Sequence, residues 1–297
     1  MSEIYLVFVV LLFVLAVFDL MVGVSNDAVN FLNSAIGAKV AKFRTIIIVA
    51  TVGVFMGATM SNGMMEVARN GVFHPAMFSL KELMFIFLAV IISDVILLDI
   101  FNNLGLPTST TVSLVFELLG GTTAFVLLKL ANDTTGLTVG DLMNTEKALG
   151  MIMAIFVSVA IAFFFGIVLQ YISRLVFTFT YKKNLKWKIG IFGGVATTAI
   201  FYFMLFKGIK SMSFVTPEIY EYIQNHTLAI LGICFLASTA IMQFLYFLKV
   251  NVFKILVLMG TFALAMAFAG NDLVNFIGVP LAGYSAYTDF AASGASD

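Results

Sequence analysis

Eight apolar runs divide this chain, at about residues 4–22, 45–60, 83–101, 110–131, 149–173, 189–207, 227–248 and 252–269. A bilayer core about 30 Å thick takes roughly 20 apolar residues at the helical rise, and nothing inside it satisfies an open backbone, so these runs predict membrane-spanning helices. Barrel strands would be about half as long. Composition agrees: 61% of residues are hydrophobic and 11% charged, a balance outside the soluble range. A formal net charge of zero gives no footprint for nucleic acid. The first run follows Met1-Ser2-Glu3, with no basic start and no small-residue cleavage site behind it, and reads as a retained helix rather than a signal peptide. Cys234 is the single cysteine, which excludes an internal disulfide.

Basic residues without acidic neighbours fall in three connections. These hold Lys39, Lys42 and Arg44; Arg174, Lys182, Lys183, Lys186 and Lys188; and Lys249 and Lys254. The other connections mix Lys and Arg with Glu66, Glu82, Asp133, Asp141, Glu146, Glu218 and Glu221. The positive-inside rule makes the first set cytoplasmic and the second external, which alternating spans satisfy with an external N-terminus. Tyr181 and Trp187 suit an interfacial belt there. His74 and His226 fall in external loops, leaving no deep histidine for an intramembrane enzyme.

One polar signature occurs twice in this apolar setting. Asn26-Asp27-Ala28-Val29-Asn30-Phe31 and Asn271-Asp272-Leu273-Val274-Asn275-Phe276 differ only at the third position. A carboxylate and two amides are costly in hydrocarbon, so their repetition points to two equivalent halves of one binding site. The span before the first copy runs inward and the span before the second runs outward. Opposed copies mark an inverted-topology repeat, which places substrate near the midplane on broken helices. On a helix, Asp27 and Asn30 share a face at i, i+3. A helix-capping and interhelical hydrogen-bond cluster is the plainer account of either copy alone.

A second constellation is Gly105-Leu106-Pro107-Thr108-Ser109-Thr110-Thr111. Glycine and proline break the preceding span, and proline suits the first turn of a new helix, which would put Ser109, Thr110 and Thr111 at its N-terminus. Hydroxyls, free backbone N–H groups and a positive dipole end there make an anion site without a formal charge. A hydroxyl cap on a proline kink is the simpler alternative. Thr110, Ser113 and Glu117 continue as a polar stripe at i, i+3, i+7, open to a coupling role for Glu117 or to a structural hydrogen bond. Asp99, Asn102 and Asn103 either line the path or cap a broken helix, the second being the favoured reading, with Asp94 as a buried partner and Asp19 as an interfacial residue.

These motifs, in order, resemble the inorganic phosphate transporter (PiT) family, and Arg69-Asn70-Gly71-Val72 resembles that family's Arg-Lys-Gly-Ile stretch. The resemblance implies a symporter that moves inorganic phosphate with sodium or protons across a cell membrane. It implies phosphate contacts from Asn26, Asp27, Ser109, Thr110, Thr111, Asn271 and Asp272, and coupling-ion contacts from Asp27, Asn30, Asp272, Asn275 and Glu117. No other cofactor and no enzymatic activity are implied. The chain departs from the pattern at Val112, Phe116 and Glu117, and at Ala269-Gly270 before the second signature. A sulfate permease of the same family, and a structural or receptor protein that transports nothing, are the alternatives, and homo-oligomerisation is left open.

Charge counting asks for a cation independently. Asp19, Asp27, Asp94, Asp99, Glu117 and Asp272 lie within or beside the spans, whereas no Lys or Arg lies deep in one. A divalent anion entering beside ionised aspartates needs positive charge with it, as a proton or as sodium on hard oxygen ligands. The expected fold is therefore an all-α, polytopic bundle of inverted repeats with broken or re-entrant helices. Residues 1–173 form the first repeat and following helices, 174–188 a cytoplasmic basic loop, 189–248 intervening helices and 249–297 the start of the second repeat. Asp27 and Ser109 are 82 positions apart, so a second hydroxyl motif is expected near position 354, past the last residue, Asp297. The sequence is expected to be a piece of a longer protein or to be completed by another chain.

Overall fold

The computed structural model describes residues 2–59, 72–132, 136–177, 185, 187–208 and 216–293. All the helices expected from the apolar runs are present. They are α1 (Ser2–Gly37), α2 (Phe43–Thr59), α3 (Leu80–Leu104) and α4 (Thr110–Ala131), then a single turn α5 (Val139–Leu142) and α6 (Thr145–Phe177). The chain continues through α7 (Lys188–Gly208), α8 (Pro217–Asn225), α9 (Thr227–Phe247) and α10 (Val252–Ser293). Six of these helices are long and apolar enough to cross a bilayer, and α2 and α7 are shorter apolar helices.

The helices divide into two units. The first comprises Met1–Val29, Asn62–Ser158 and Asn271–Asp297, and the second Asn30–Ser61 and Val159–Gly270. In the first unit α1 and the end of α10 run antiparallel. Tyr5 meets Phe290 at 5.7 Å between ring centroids, Phe13 meets Tyr284 at 6.4 Å, and Gly23 lies under the Phe276 ring with no room for a Cβ. As numbers rise along one helix they fall along the other, so the two signatures have opposite directions, as the charge pattern requires.

Helices α3 and α4 form a hairpin beside this pair. Ser79 and Glu82 make a capping box at the start of α3, and Glu82 pairs with Lys129 at 2.9 Å near the end of α4, closing the base. The Lys129 ammonium also donates to the Met77 carbonyl at 2.8 Å. A short antiparallel contact, with His74 N donating to Leu142 O at 3.0 Å and Asn144 N to Val72 O at 2.9 Å, fastens the chain before α3 to the chain before α6. Nearby, the Thr138 hydroxyl and backbone N–H donate to the exposed Asp141 carboxylate and hold it below the ordinary carboxylate range. Between the helices lies a core of Leu12, Met84, Ile86 and Leu118, each fully buried.

In the second unit α2 packs against the first part of α10 through glycines. Gly53 and Gly57 face the backbone of Phe262 and Met266 so closely that side chains there would strike main-chain atoms. Without a hydrophobic force between helices in lipid, such small-residue contacts supply the close packing. Helices α7 and α9 pair the same way, Gly193 against Met242 and Gly194 against Thr239. The long apolar run of α6 is exposed on nearly every face, with Phe163, Phe164 and Phe165 all outward, as a lipid-facing helix is.

Among the described residues the expected break occurs between α3 and α4. Both signatures lie on uninterrupted helices, α1 running on to Gly37 and α10 to Ser293 with Pro280 inside it. Polar side chains do not disturb an i to i−4 backbone ladder when neighbouring elements satisfy them. Asp19, expected at an interface, is only 2% exposed. Pro107 precedes the cap of α4 instead of occupying its first turn, because Ser109 is the N-cap. Residues 69–71 of the Arg-Asn-Gly stretch, Tyr181, and Lys182, Lys183 and Lys186 lie outside the described residues.

Candidate functional site

The site is built around the turn between α3 and α4. Gly105 ends α3 in the left-handed region, at φ 67°, where glycine meets no Cβ clash, and its N–H and that of Leu106 return to Asn102 and Phe101 carbonyls at 3.0 and 2.9 Å. Pro107 cannot continue a helix, so the chain stays extended to Ser109, whose hydroxyl accepts from Val112 N at 3.4 Å.

Asn26 of α1 holds this turn with its whole amide. Its Nδ2 donates to Asn102 Oδ1 at 2.9 Å and to Leu106 O at 3.1 Å, and its Oδ1 accepts from Thr108 N at 2.8 Å. Asn102 in turn donates to the Val22 carbonyl at 2.9 Å. The side chain expected to touch phosphate is thus occupied in positioning the hairpin. Asn102, expected to cap, is its partner, while Asn103 donates to the Asp99 side chain, Oδ2, at 3.1 Å one turn back along α3.

The second signature meets the start of α4 directly. Thr111 Oγ1 donates to Asp272 Oδ1 at 3.1 Å. Asn275 Nδ2 lies 2.9 Å from Thr111 Oγ1, 3.3 Å from Thr110 Oγ1 and 3.3 Å from Asp272 Oδ1. Asp27 is 5% exposed and lies within electrostatic range of the Asp272 and Asp94 carboxylates. Asn275 Oδ1 is buried without a hydrogen-bond partner. Two carboxylates, a free amide oxygen and threonine hydroxyls thus converge beside a helix N-terminus. Hard oxygens of this kind coordinate an alkali cation, and the helix start addresses an anion.

Next to this cluster lies an acidic group the sequence reading resolved only in part. Ser113 Oγ is 2.6 Å from Asp94 Oδ1 and 2.9 Å from Glu117 Oε1, and the buried Asp19 carboxyl of α1 lies beside Asp94. Asp19 Oδ1 and Glu117 Oε2 are buried without partners. The stripe of Thr110, Ser113 and Glu117 does face one way, with Asp94 as the buried partner it was expected to be. Spacing along one helix cannot reveal that Asp19, on another, joins it.

Not every expected residue comes in. Asn30 is exposed and falls in the second unit, and Ser109 is exposed at the cap. The side chain of Asn271 lies outside the described residues.

A bundle of apolar helices that keeps paired carboxylates and amides beside a helix start at membrane depth is an integral membrane transport protein. The chain belongs to the phosphate transporter family, whose model matches residues 23–296. No curated protein matches it in sequence. Among solved structures, one described as the sodium-dependent phosphate transporter is similar, with a TM-score of 0.67 and 19% identity over 96% of this chain and 69% of that one.

Proposed function

We propose that this protein is a multi-pass carrier of the cell membrane that moves inorganic phosphate inward together with sodium. The observation that carries the reading is the convergence of Asp272 and Asn275 with Thr110 and Thr111 at the start of α4, with Asp27 of the other signature buried within electrostatic range of Asp272. Asp27, Asp272 and the unpartnered Asn275 oxygen serve as cation ligands. The start of α4, with Ser109 exposed beside it, receives the anion. Asn26 is a positioning residue, which keeps the helix start aimed at the carboxylates. Asn271 joins the same site, and Glu117 serves the cation. The similar solved protein is sodium-dependent by description, which favours sodium over a proton here. The three basic connections face the cytoplasm and the N-terminus lies outside.

Uptake of labelled phosphate into a transport-deficient host or into liposomes, with and without an inward sodium gradient, tests the proposal. Sodium-driven accumulation is expected in the wild type, with sulfate a weak competitor. Asp27→Asn and Asp272→Asn should each abolish accumulation while the protein still inserts. Normal accumulation in both variants at saturating sodium would sink the assignment.

A further inference from the structure

The second unit contains a cavity of about 1200 Å³ that the transport site does not use. Lys39, Arg174, Lys249 and Lys254 line it, so each of the three basic connections contributes to one place. Among the described residues the single ion pair is Glu82 with Lys129, and none of these four cations has a carboxylate opposite it. The wall between them is apolar. Phe177 packs edge-on against Phe192 at 4.8 Å and Phe253 at 5.3 Å, over a core that includes Leu256.

A cation past the ends of α1 and α9 suits the helix dipole, but the backbone conformation there does not favour a side chain. Lys39 and Lys249 occupy equivalent positions just past the ends of α1 and α9, both left-handed, at φ 50° and 60°. Their N–H groups return to the Ile36 and Tyr246 carbonyls at 3.0 Å, and those of Val40 and Val250 to Ala35 and Leu245 at 3.2 and 3.0 Å. This helix ending favours glycine at that position, since a side chain there meets steric resistance. Lysine stands there twice. Lys254 sits in the first turn of α10, behind the Asn251 cap at 3.2 Å, where the helix dipole disfavours a cation. An anion over that helix start would offset the unfavourable dipole at Lys254 and meet the N–H groups of α10, with Lys39 and Lys249 lining the same cavity.

We propose that this cavity binds an anionic phospholipid, its phosphate held by Lys39, Lys249, Lys254 and Arg174 and an acyl chain laid along Phe177, Phe192 and Phe253. Free phosphate would meet the same cations but has no use for the apolar wall or for the volume. Basic pockets between membrane helices are where lipid headgroups bind, and an arginine contributes a fork that matches a phosphate's oxygens.

The intact protein in an uncharged detergent is titrated with dioleoyl phosphatidylglycerol, with dioleoyl phosphatidylcholine and with inorganic phosphate, reading thermal unfolding and native mass spectra. Phosphatidylglycerol should raise the unfolding temperature and appear as a bound adduct, and phosphatidylcholine should do neither. Lys39→Gly with Lys249→Gly suits the backbone and should leave the lipid-free unfolding temperature unchanged or higher. The same pair should weaken phosphatidylglycerol binding by about thirtyfold, the equivalent of about 1 kcal/mol for each cation. Arg174→Gln with Lys254→Gln should weaken it comparably, and any shift caused by inorganic phosphate should be the same in all of them. Equal binding of the two lipids would overturn the proposal. So would a phosphate effect as large as that of phosphatidylglycerol and lost in the same variants, which would make the ligand a free anion.

Discussion

At the scale of single residues, two asparagines from different positions of the two signatures do different work. Asn26 spends its amide on the turn after α3, whereas Asn275 keeps an oxygen free beside Asp272. Removing the clamp should therefore damage transport without touching a ligand. For Asn102→Ala, which removes the acceptor of Asn26 Nδ2 and the donor to the Val22 carbonyl, the expected loss is about 1–3 kcal/mol of stability, because part-buried partners lose their bonds. Phosphate uptake should fall with it, read by thermal unfolding and isotope flux on the same preparation. The neighbouring hydroxyls separate in the opposite way. Thr111→Val breaks contacts to Asp272 and Asn275 and should weaken sodium dependence, seen as a higher sodium concentration for half-maximal uptake. Ser109→Ala removes a helix cap worth about 1 kcal/mol and should leave that sodium concentration nearly unchanged. Identical sodium curves for Thr111→Val and wild type would mean the threonine only packs.

At the scale of elements, the apolar runs foretold every long helix, because crossing hydrocarbon constrains length and composition so tightly. Where α1 and α10 would end was not legible. A polar, glycine-flanked stretch reads as a break, yet side chains from α4 and the α3–α4 turn satisfy it and both helices run through. Glycines, similarly, announce close contacts without naming the partner. The contact of α2 with α10 yields a sharp contrast. Gly57→Leu should drive a side chain into the Met266 carbonyl and cost at least the 1–3 kcal/mol typical of overpacking. Gly120→Ala, on an open face of α4, should be neutral or stabilising by up to about 1 kcal/mol. Unfolding temperatures of the two variants in one detergent decide it, and equal temperatures would remove the close-packing account of the second unit.

At the scale of the whole molecule, sidedness follows from where charges gather. The three basic connections, scattered across some two hundred positions of sequence, line one cavity, so they must share one side of the membrane. That juxtaposition supports the alternation inferred from charge alone, and the antiparallel course of α1 and α10 supports the opposed signatures. What charge counting could reach was the sign of each loop. What it could not reach was the long-range pairing inside the bundle, since a buried aspartate such as Asp19 carries no mark in sequence of the helix it will meet. The orientation is tested with Cys234 replaced by alanine and single cysteines returned at exposed positions. Lys42→Cys and Trp187→Cys, from two different basic connections, should both be shielded from an impermeant thiol reagent in intact cells and label after permeabilisation. Asp141→Cys should label from outside without permeabilisation, because its connection carries the acidic charge that the positive-inside rule leaves external. Labelling of Lys42→Cys and Trp187→Cys on opposite sides would contradict the shared cavity. Labelling of both from outside would invert the orientation while leaving the cavity intact, and would move the anionic lipid to the outer leaflet.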